Sequence, residues 1–537
     1  MENSDDVPAD LEHPRSQRWA PLWRKYLPDI PSALRALDQL AESDIHAYSI
    51  DLRQASSDIE RDLQAIHSQP SFERSTTVST ELEDFGSYIR SLIAPIRALP
   101  DEILSVVFEH YVGNRRLILA YRDPIWLLLH VSRVWRSVAS NTPSLWTKID
   151  TSRITTYVPR VPDARLDSVD MRVVCTVLQS YLSNSSSLPL DIYLCLWPDS
   201  RWKPVVEMLW AHRQRWRTLY CRGSRTDELE QVRQDMPSAG LPLLRSYRYA
   251  SDDIAKDIAG QICFLPAPKF RILQFGGRVQ TITQSLPWSQ ITCYRGPAVT
   301  HDGQRILPLM VNLEICDIYV NLSDRVAWGD SAALCFCPRL RVLSFDSSYN
   351  EHTCAAYICA PMLWKLRVSG ADENPSYFIE ITARHGAALS TLSVGYGYDD
   401  AILYEILKDC PTLHTLILRQ AYYRTPPEPT WRLIFAQLKN DPAMLSHLRV
   451  LKVAPAPSLS IEGLNAQLAD IMQLVQHLLA LDTRRLQAVY IYVHNVDAAR
   501  RMLDQAYTTV MDTVNVTVHA REEYRHEDDF KELVRPP

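Results

Sequence analysis

Residues 337–345 read Cys-Pro-Arg-Leu-Arg-Val-Leu-Ser-Phe. A proline turn delivers a short apolar run, the pattern of a buried strand that starts at a turn. Its core, Leu340-Arg341-Val342-Leu343, returns as Leu363-Trp364-Lys365-Leu366, Leu389-Ser390-Thr391-Leu392, Leu413-His414-Thr415-Leu416 and Leu448-Arg449-Val450-Leu451. Looser versions lie upstream at Trp216–Tyr220, Leu243–Tyr247, Phe270–Leu273 and Leu313–Ile315, and downstream at Leu486–Val489. Two further runs also follow a proline, after Ala360-Pro361 and Cys410-Pro411. Taking Leu244, Phe270, Ile291, Leu313, Leu340, Leu363, Leu389, Leu413, Leu448 and Leu486 as anchors, the steps are 26, 21, 22, 27, 23, 26, 24, 35 and 38 residues.

A period in the twenties with an L-x-x-L core resembles a leucine-rich repeat, one strand plus a helix or turn per unit. The Asn of the usual consensus is mostly missing, so the resemblance is to an irregular member. It implies an α/β solenoid over 165–519, in which no unit buries its own apolar face and stacking supplies one continuous core. Alternate strand residues then point into that core, and the others line one open surface. The long last steps make room for a helix at Leu464–Leu481, and Tyr490–Val493 and Val514–Val518 are expected to end the sheet. Nearer the start, Val169–Leu182 and Trp202–Arg215 read as helices around a strand at Leu190–Leu194.

Upstream of the repeats, residues 95–149 are dense in apolar and aromatic side chains. Pro100 suits a first helical turn, where its missing N–H costs nothing. Asp101 and Glu102 place negative charge at the positive end of the helix dipole. Ile103, Leu104, Val107, Phe108 and Tyr111 recur at helical spacing, and Gly113-Asn114 stops the helix. Asp123-Pro124 opens a second helix carrying Ile125, Leu128, Val131, Val134, Trp135 and Val138, closed by Asn141-Thr142-Pro143. Ser144-Leu145-Trp146 follows as a turn with an aromatic plug.

Leu99-Pro100-Asp101-Glu102-Ile103-Leu104, with Phe108 four residues on, resembles the start of an F-box. Val131-Ser132-Arg133-Val134-Trp135-Arg136 and Thr142-Pro143-Ser144-Leu145-Trp146 resemble the later part of the F-box-like domain of many fungal proteins. Val107 stands where Ile is usual and Ser132 where Cys is common. The resemblance implies a three-helix bundle over 95–149. In it, Leu99, Pro100, Ile103, Leu104 and Phe108 dock a Skp-type adaptor of a cullin scaffold, while Val131, Val134, Trp135, Leu145 and Trp146 form the bundle core. It further implies a non-catalytic subunit of a cullin–RING ubiquitin ligase, holding an unknown protein client on its repeats and needing no cofactor. The other reading is a binding scaffold whose helical bundle only caps the repeats.

The segment 31–94 reads as a helical hairpin. Ile45, Leu52, Ile59 and Ile66 fall every seven residues, with Tyr48 and Ala55 three beyond the first two, but Asp62 interrupts the seam. Coiled-coil pairing and an antiparallel pair with the next helix both satisfy this pattern. That next helix opens at the capping box Thr80–Glu83 and carries Leu82, Phe85, Ile89 and Leu92. Residues 1–30 read as a disordered leader in which Trp19, Leu22, Trp23, Tyr26 and Leu27 offer a short docking segment. The charged tail 520–537 reads as solvated.

The composition excludes several classes. A net charge of −6 lacks the basic balance of a general nucleic-acid binder. No run of 18 apolar residues suggests a membrane span, and the acidic start is unlike a secretory signal. Eleven cysteines without a C-x-x-C pair read as reduced thiols in a cytoplasmic or nuclear protein, with no zinc site. With 15 glycines and no nucleophile-elbow, zincin or phosphate-loop motif, no enzyme class is indicated. His526–Asp529 reads as solvated tail rather than metal ligands. His212–Arg217, basic and aromatic, reads as a helix end leading into a strand rather than a phosphate contact.

Overall fold

The computed structural model describes residues 19–27, 48–68, 75–92, 96, 99–113, 124–151, 171–196, 202–223, 240–250, 267–276, 286–297, 305–319, 334–346, 357–369, 376–395, 400–419, 441, 444–454, 461–480, 486–493, 496–506 and 514–520. The chain divides into two compact units. One holds residues up to Trp146 plus Ser183–Ser186, and the other holds Thr147–Leu182 and everything from Ser187 onward.

The first unit is helical. Helices α2 (Ser49–His67) and α3 (Ser75–Leu92) pack as a hairpin. Leu52, Ala55 and Ile59 from one face Leu82, Phe85 and Ile89 from the other. The heptad seam is therefore filled within the chain. Within the leader, the short docking segment read at residues 19–27 forms α1 (Ala20–Tyr26), with Trp19 and Leu27 buried in this same core. Trp19 lies 5.6 Å from the Phe85 ring, edge-on. Asp62, which breaks the seam, accepts hydrogen bonds from Lys25 Nζ and the Tyr26 hydroxyl, each at 2.6 Å. These bonds hold its carboxyl below the ordinary carboxylate value. Residues 1–18, 28–47 and the tail 521–537 lie outside the described residues.

Three further helices follow: α4 (Asp101–Val112), α5 (Pro124–Val131) and α6 (Arg133–Ser140). Gly113 ends α4 at φ 54°, a left-handed conformation that glycine adopts without a Cβ clash. The helix expected from Pro124 to Asn141 is two helices. Ser132 sits extended between them (φ −159°, ψ 169°), and its Oγ accepts from the Trp135 amide, capping α6. Arg136 spans the break, donating to Leu129 O at 2.9 Å.

The second unit carries a 14-stranded sheet in which every pair is parallel. In chain order its strands are β1 (Lys148–Asp150), β2 (Leu190–Leu196), β3 (Trp216–Gly223), β4 (Ser246–Ala250), β5 (Ile272–Gly276), β6 (Cys293–Pro297), β7 (Ile315–Tyr319), β9 (Val342–Asp346), β11 (Lys365–Ser369), β12 (Thr391–Gly395), β13 (Thr415–Arg419), β14 (Val450–Ala454), β15 (Ala488–Val493) and β16 (Asn515–Ala520). Each strand pairs with the next of these, so one repeat adds one strand. The short β8 (Cys335–Phe336) and β10 (Ile358–Cys359) pair separately. Lys148 and Ile149, expected inside the helical domain, belong to β1, which pairs with β2.

The L-x-x-L runs take a definite form. The first Leu is not in the strand. Leu340, Leu363, Leu389, Leu413 and Leu448 are buried two residues ahead of it, and the strands begin at Val342, Lys365, Thr391, Thr415 and Val450. Ile291 plays this part for β6. The residue between anchor and strand gives its carbonyl to the next repeat: Trp364 O accepts from Ser390 N at 2.8 Å and Thr391 N at 3.0 Å. The second Leu faces the core, and Leu343, Leu366, Leu392, Leu416 and Leu451 stand in one register row. Helices α7 (Met171–Asn184) and α8 (Lys203–Ala211) precede β2 and β3, and α9 (Ser376–His385), α10 (Asp400–Lys408), α11 (Ile461–Ala480) and α12 (Val496–Ala506) connect later strands. No described helix is long and apolar enough to cross a membrane.

Candidate functional site

Two surfaces bear on function, one in each unit. In the helical unit, α4 is apolar on two sides. At about 100° per residue, Leu104, Phe108 and Val112 share one side and Ile103, Val106, Val107 and His110 the other. The first set is buried; Phe108 lies 4.9 Å from the Trp135 ring. Ile103 and Val106 are 48% and 49% exposed. Leu127 and Val131 of α5, which packs on α4, are 53% and 52% exposed.

This divides the residues expected to dock an adaptor. Pro100 and Ile103 are exposed and Leu99 is half-buried. Leu104 and Phe108 are fully buried and belong to the core, because the buried side of α4 carries the larger side chains. The expected core set divides too. Leu145 and Trp146 are buried, the Trp146 indole donating to Ala139 O at 2.8 Å. Val134 and Trp135 are half-buried. Val131 is exposed: the break at Ser132 turns the last residue of α5 away from the face that continues into α6. Val106 and Leu127 were missed. Their signal was a second apolar stripe on α4 and a helix, Pro124–Val131, with apolar residues on every side.

In the sheet unit, the strand residues that point away from the core now have a register. The central row runs Tyr193, Tyr220, Arg248, Gln274, Arg295, Asp317, Ser344, Arg367, Ser393, Ile417, Lys452, Tyr490 and Thr517. Both ends are aromatic with a cation. The Arg248 guanidinium lies 5.2 Å from the Tyr220 ring, and Lys452 Nζ lies 5.4 Å from Tyr490. His519 stacks on Tyr492 at 5.3 Å. Arg295 Nε meets Asp317 Oδ2 at 3.2 Å. Such half-buried aromatic and charged groups are the kind that carry binding energy at interfaces.

The basic cluster at 212–217 is structural. Arg217 forks onto Asp191 at 2.9 and 2.5 Å, Arg215 donates to Leu188 O at 3.0 Å, and the buried Trp216 indole donates to Leu209 O. Burial, and secondarily Arg215, holds His212 below the ordinary imidazole value.

No protein-family model and no curated protein matches the chain. Among solved structures it is similar to the crystal structure of a TLR13–ssRNA13 complex, at 13% identity and a TM-score of 0.24, covering 60% of this chain. The chain spans 45% of that protein's length. A TM-score this low does not establish a common fold.

Proposed function

We propose that the protein is a non-catalytic recruiter of the F-box type. Its helical unit binds a Skp-type adaptor of a cullin–RING ligase, and its leucine-rich-repeat-like sheet holds a protein client. The observation that carries this reading is the exposed apolar side of α4 and α5, Pro100, Ile103, Val106, Leu127 and Val131, at the stretch whose sequence resembles an F-box. Large apolar side chains left in water on two packed helices mark a protein-binding surface. The parallel repeat sheet supports the second half, because its outward row offers aromatic and charged groups from successive strands. The contribution to ubiquitin transfer is then proximity, not chemistry.

The test is co-purification of the full chain with a Skp-type adaptor. The wild type is expected to retain the adaptor, and Ile103→Asp and Leu127→Asp are expected to lose it while melting at the wild-type temperature, since both side chains are exposed. Leu104→Asp and Phe108→Asp do not serve, because burying a carboxylate unfolds the bundle. Absence of the adaptor from the wild-type eluate overturns the reading.

A further inference from the structure

The residues between each buried anchor and its strand form a surface of their own on the sheet unit. Their backbones make a ladder just ahead of the strands. Arg271 N donates to Arg245 O, Thr292 N to Arg271 O, Glu314 N to Thr292 O, Arg341 N to Glu314 O and Trp364 N to Arg341 O, at 2.8–3.0 Å. Neighbours in this row therefore stand one strand step, about 4.8 Å, apart. The core does not take them, because the anchors beside them fill it.

The row is cationic at β4 and β5. Arg245, Lys269 and Arg271 are all exposed. Arg245 and Lys269 pair with no carboxylate among the described residues. Arg271 donates to the neutral oxygens of Pro268, Phe270 and Gln290, which leave its charge uncompensated. Four strand steps from Arg271 the row turns apolar. Met362 and Trp364, ahead of β11, are 56% and 40% exposed, and Phe336 on β8 is 62% exposed. Arg341 stands next to Trp364, with the exposed Glu314 on its other side.

This order selects a partner. Three uncompensated cations call for carboxylates, and exposed Trp and Met call for a large apolar side chain. Four strand steps are about 19 Å, which an extended chain covers in about six residues. A nucleic acid fits less well. Its phosphates would run on past the arginines onto Glu314 and the apolar end, and the chain's net charge of −6 opposes a polyanion.

We propose that this edge of the sheet docks a segment of a client protein that carries acidic residues about six positions from a large apolar one. The inference rests on the client half of the recruiter reading and names the client's chemistry. The adaptor surface lies in the helical unit, so loss of adaptor capture and loss of peptide binding are separate results.

The test pans a random dodecapeptide library against the full chain and measures the enriched peptides by fluorescence anisotropy. Enriched peptides are expected to hold clustered Asp or Glu several residues from Leu, Phe or Trp. Arg245→Glu and Lys269→Glu are each expected to weaken the best peptide about tenfold and to remove much of its salt dependence. Met362→Ser is expected to weaken it severalfold with the salt dependence unchanged. All three side chains are exposed, so the variants are expected to melt with the wild type and to match it in adaptor capture. Enrichment of peptides without acidic residues, or variants that bind the best peptide as the wild type does, would overturn the proposal. So would tighter binding of an oligothymidylate than of any enriched peptide, which assigns the edge to nucleic acid. A wild type that sediments as a dimer while Arg245→Glu sediments as a monomer would assign the edge to a second copy of the chain and overturn it too.

Discussion

Among single residues, His385 is the one whose state the fold dictates most plainly. It ends α9, nearly buried, with Nε2 3.4 Å from the Ala360 N–H and 3.2 Å from Ile358 O. One ring nitrogen cannot at once accept from Ala360 N and donate to Ile358 O, and it is burial that disfavours the charged ring here. Burial, and secondarily the charge of Arg384, holds it below the ordinary imidazole value against the opposing pull of the Ile358 carbonyl. The linkage has one sign. Above the ordinary histidine value of about 6.5, folded and unfolded states are both neutral and nothing is lost. As pH falls below it, the unfolded chain takes the proton first, so stability erodes until the lower folded value is reached. His212 adds to this in the same direction. Thermal unfolding is therefore expected to fall between pH 7.5 and 5.5. His385→Gln, which keeps an acceptor for Ala360 but does not titrate, is expected to flatten part of that slope. An unchanged slope would place the titrating group elsewhere.

At the scale of elements, the helical hairpin depends on close approach. A Cβ built on Gly86 of α3 comes within 2.9 Å of Ile59 Cγ2 on α2. Gly86→Val is expected to cost about 1–3 kcal/mol, the usual cost of overpacking a filled core, despite valine's better helix propensity. A lower melting temperature read by helical ellipticity checks this. The two strands of evidence in the sequence for this hairpin, the heptad of α2 and the apolar face of α3, were both readable, but the partner that covers Asp62 was not. Lys25 and Tyr26 sit in a stretch whose acidic, polar surroundings resemble a leader, and only the tertiary contact shows that a short helix docks there. The break at Ser132 was hidden for a similar reason. Val131 and Val134 keep helical spacing across it, and a serine within a helix reads as a mild propensity loss unless its oxygen is seen to cap the next helix. The same limit explains α4. Periodicity says that a helix has an apolar side, but for a helix apolar on two sides it does not tell Leu104 and Phe108, which the core takes, from Ile103 and Val106, which stay exposed.

At the scale of the molecule, the repeats were legible because their spacing is a property of backbone geometry. Every anchor from Leu340 to Leu448 is buried, and each is followed two residues later by a strand. The register was not legible, since steps of unequal length leave the order of pairing open until the ladder is seen. That order has an energetic consequence. When each strand pairs only with its sequence neighbours, stability is close to a sum of repeat terms and nearest-neighbour interfaces. Damage to one repeat should then stay local. Leu366 on β11 is fully buried between Leu343 and Leu392. Leu366→Ala is expected to cost about 2–5 kcal/mol locally, from lost burial and a cavity that neighbouring leucines cannot fill. Native-state hydrogen exchange distinguishes the two behaviours. Protection is expected to drop in β9, β11 and β12 while β2 and β3, seven and six pairings from β11 along the same sheet, keep theirs. A uniform loss of protection across all fourteen strands would mean that the sheet unfolds as one cooperative body rather than as a chain of repeats.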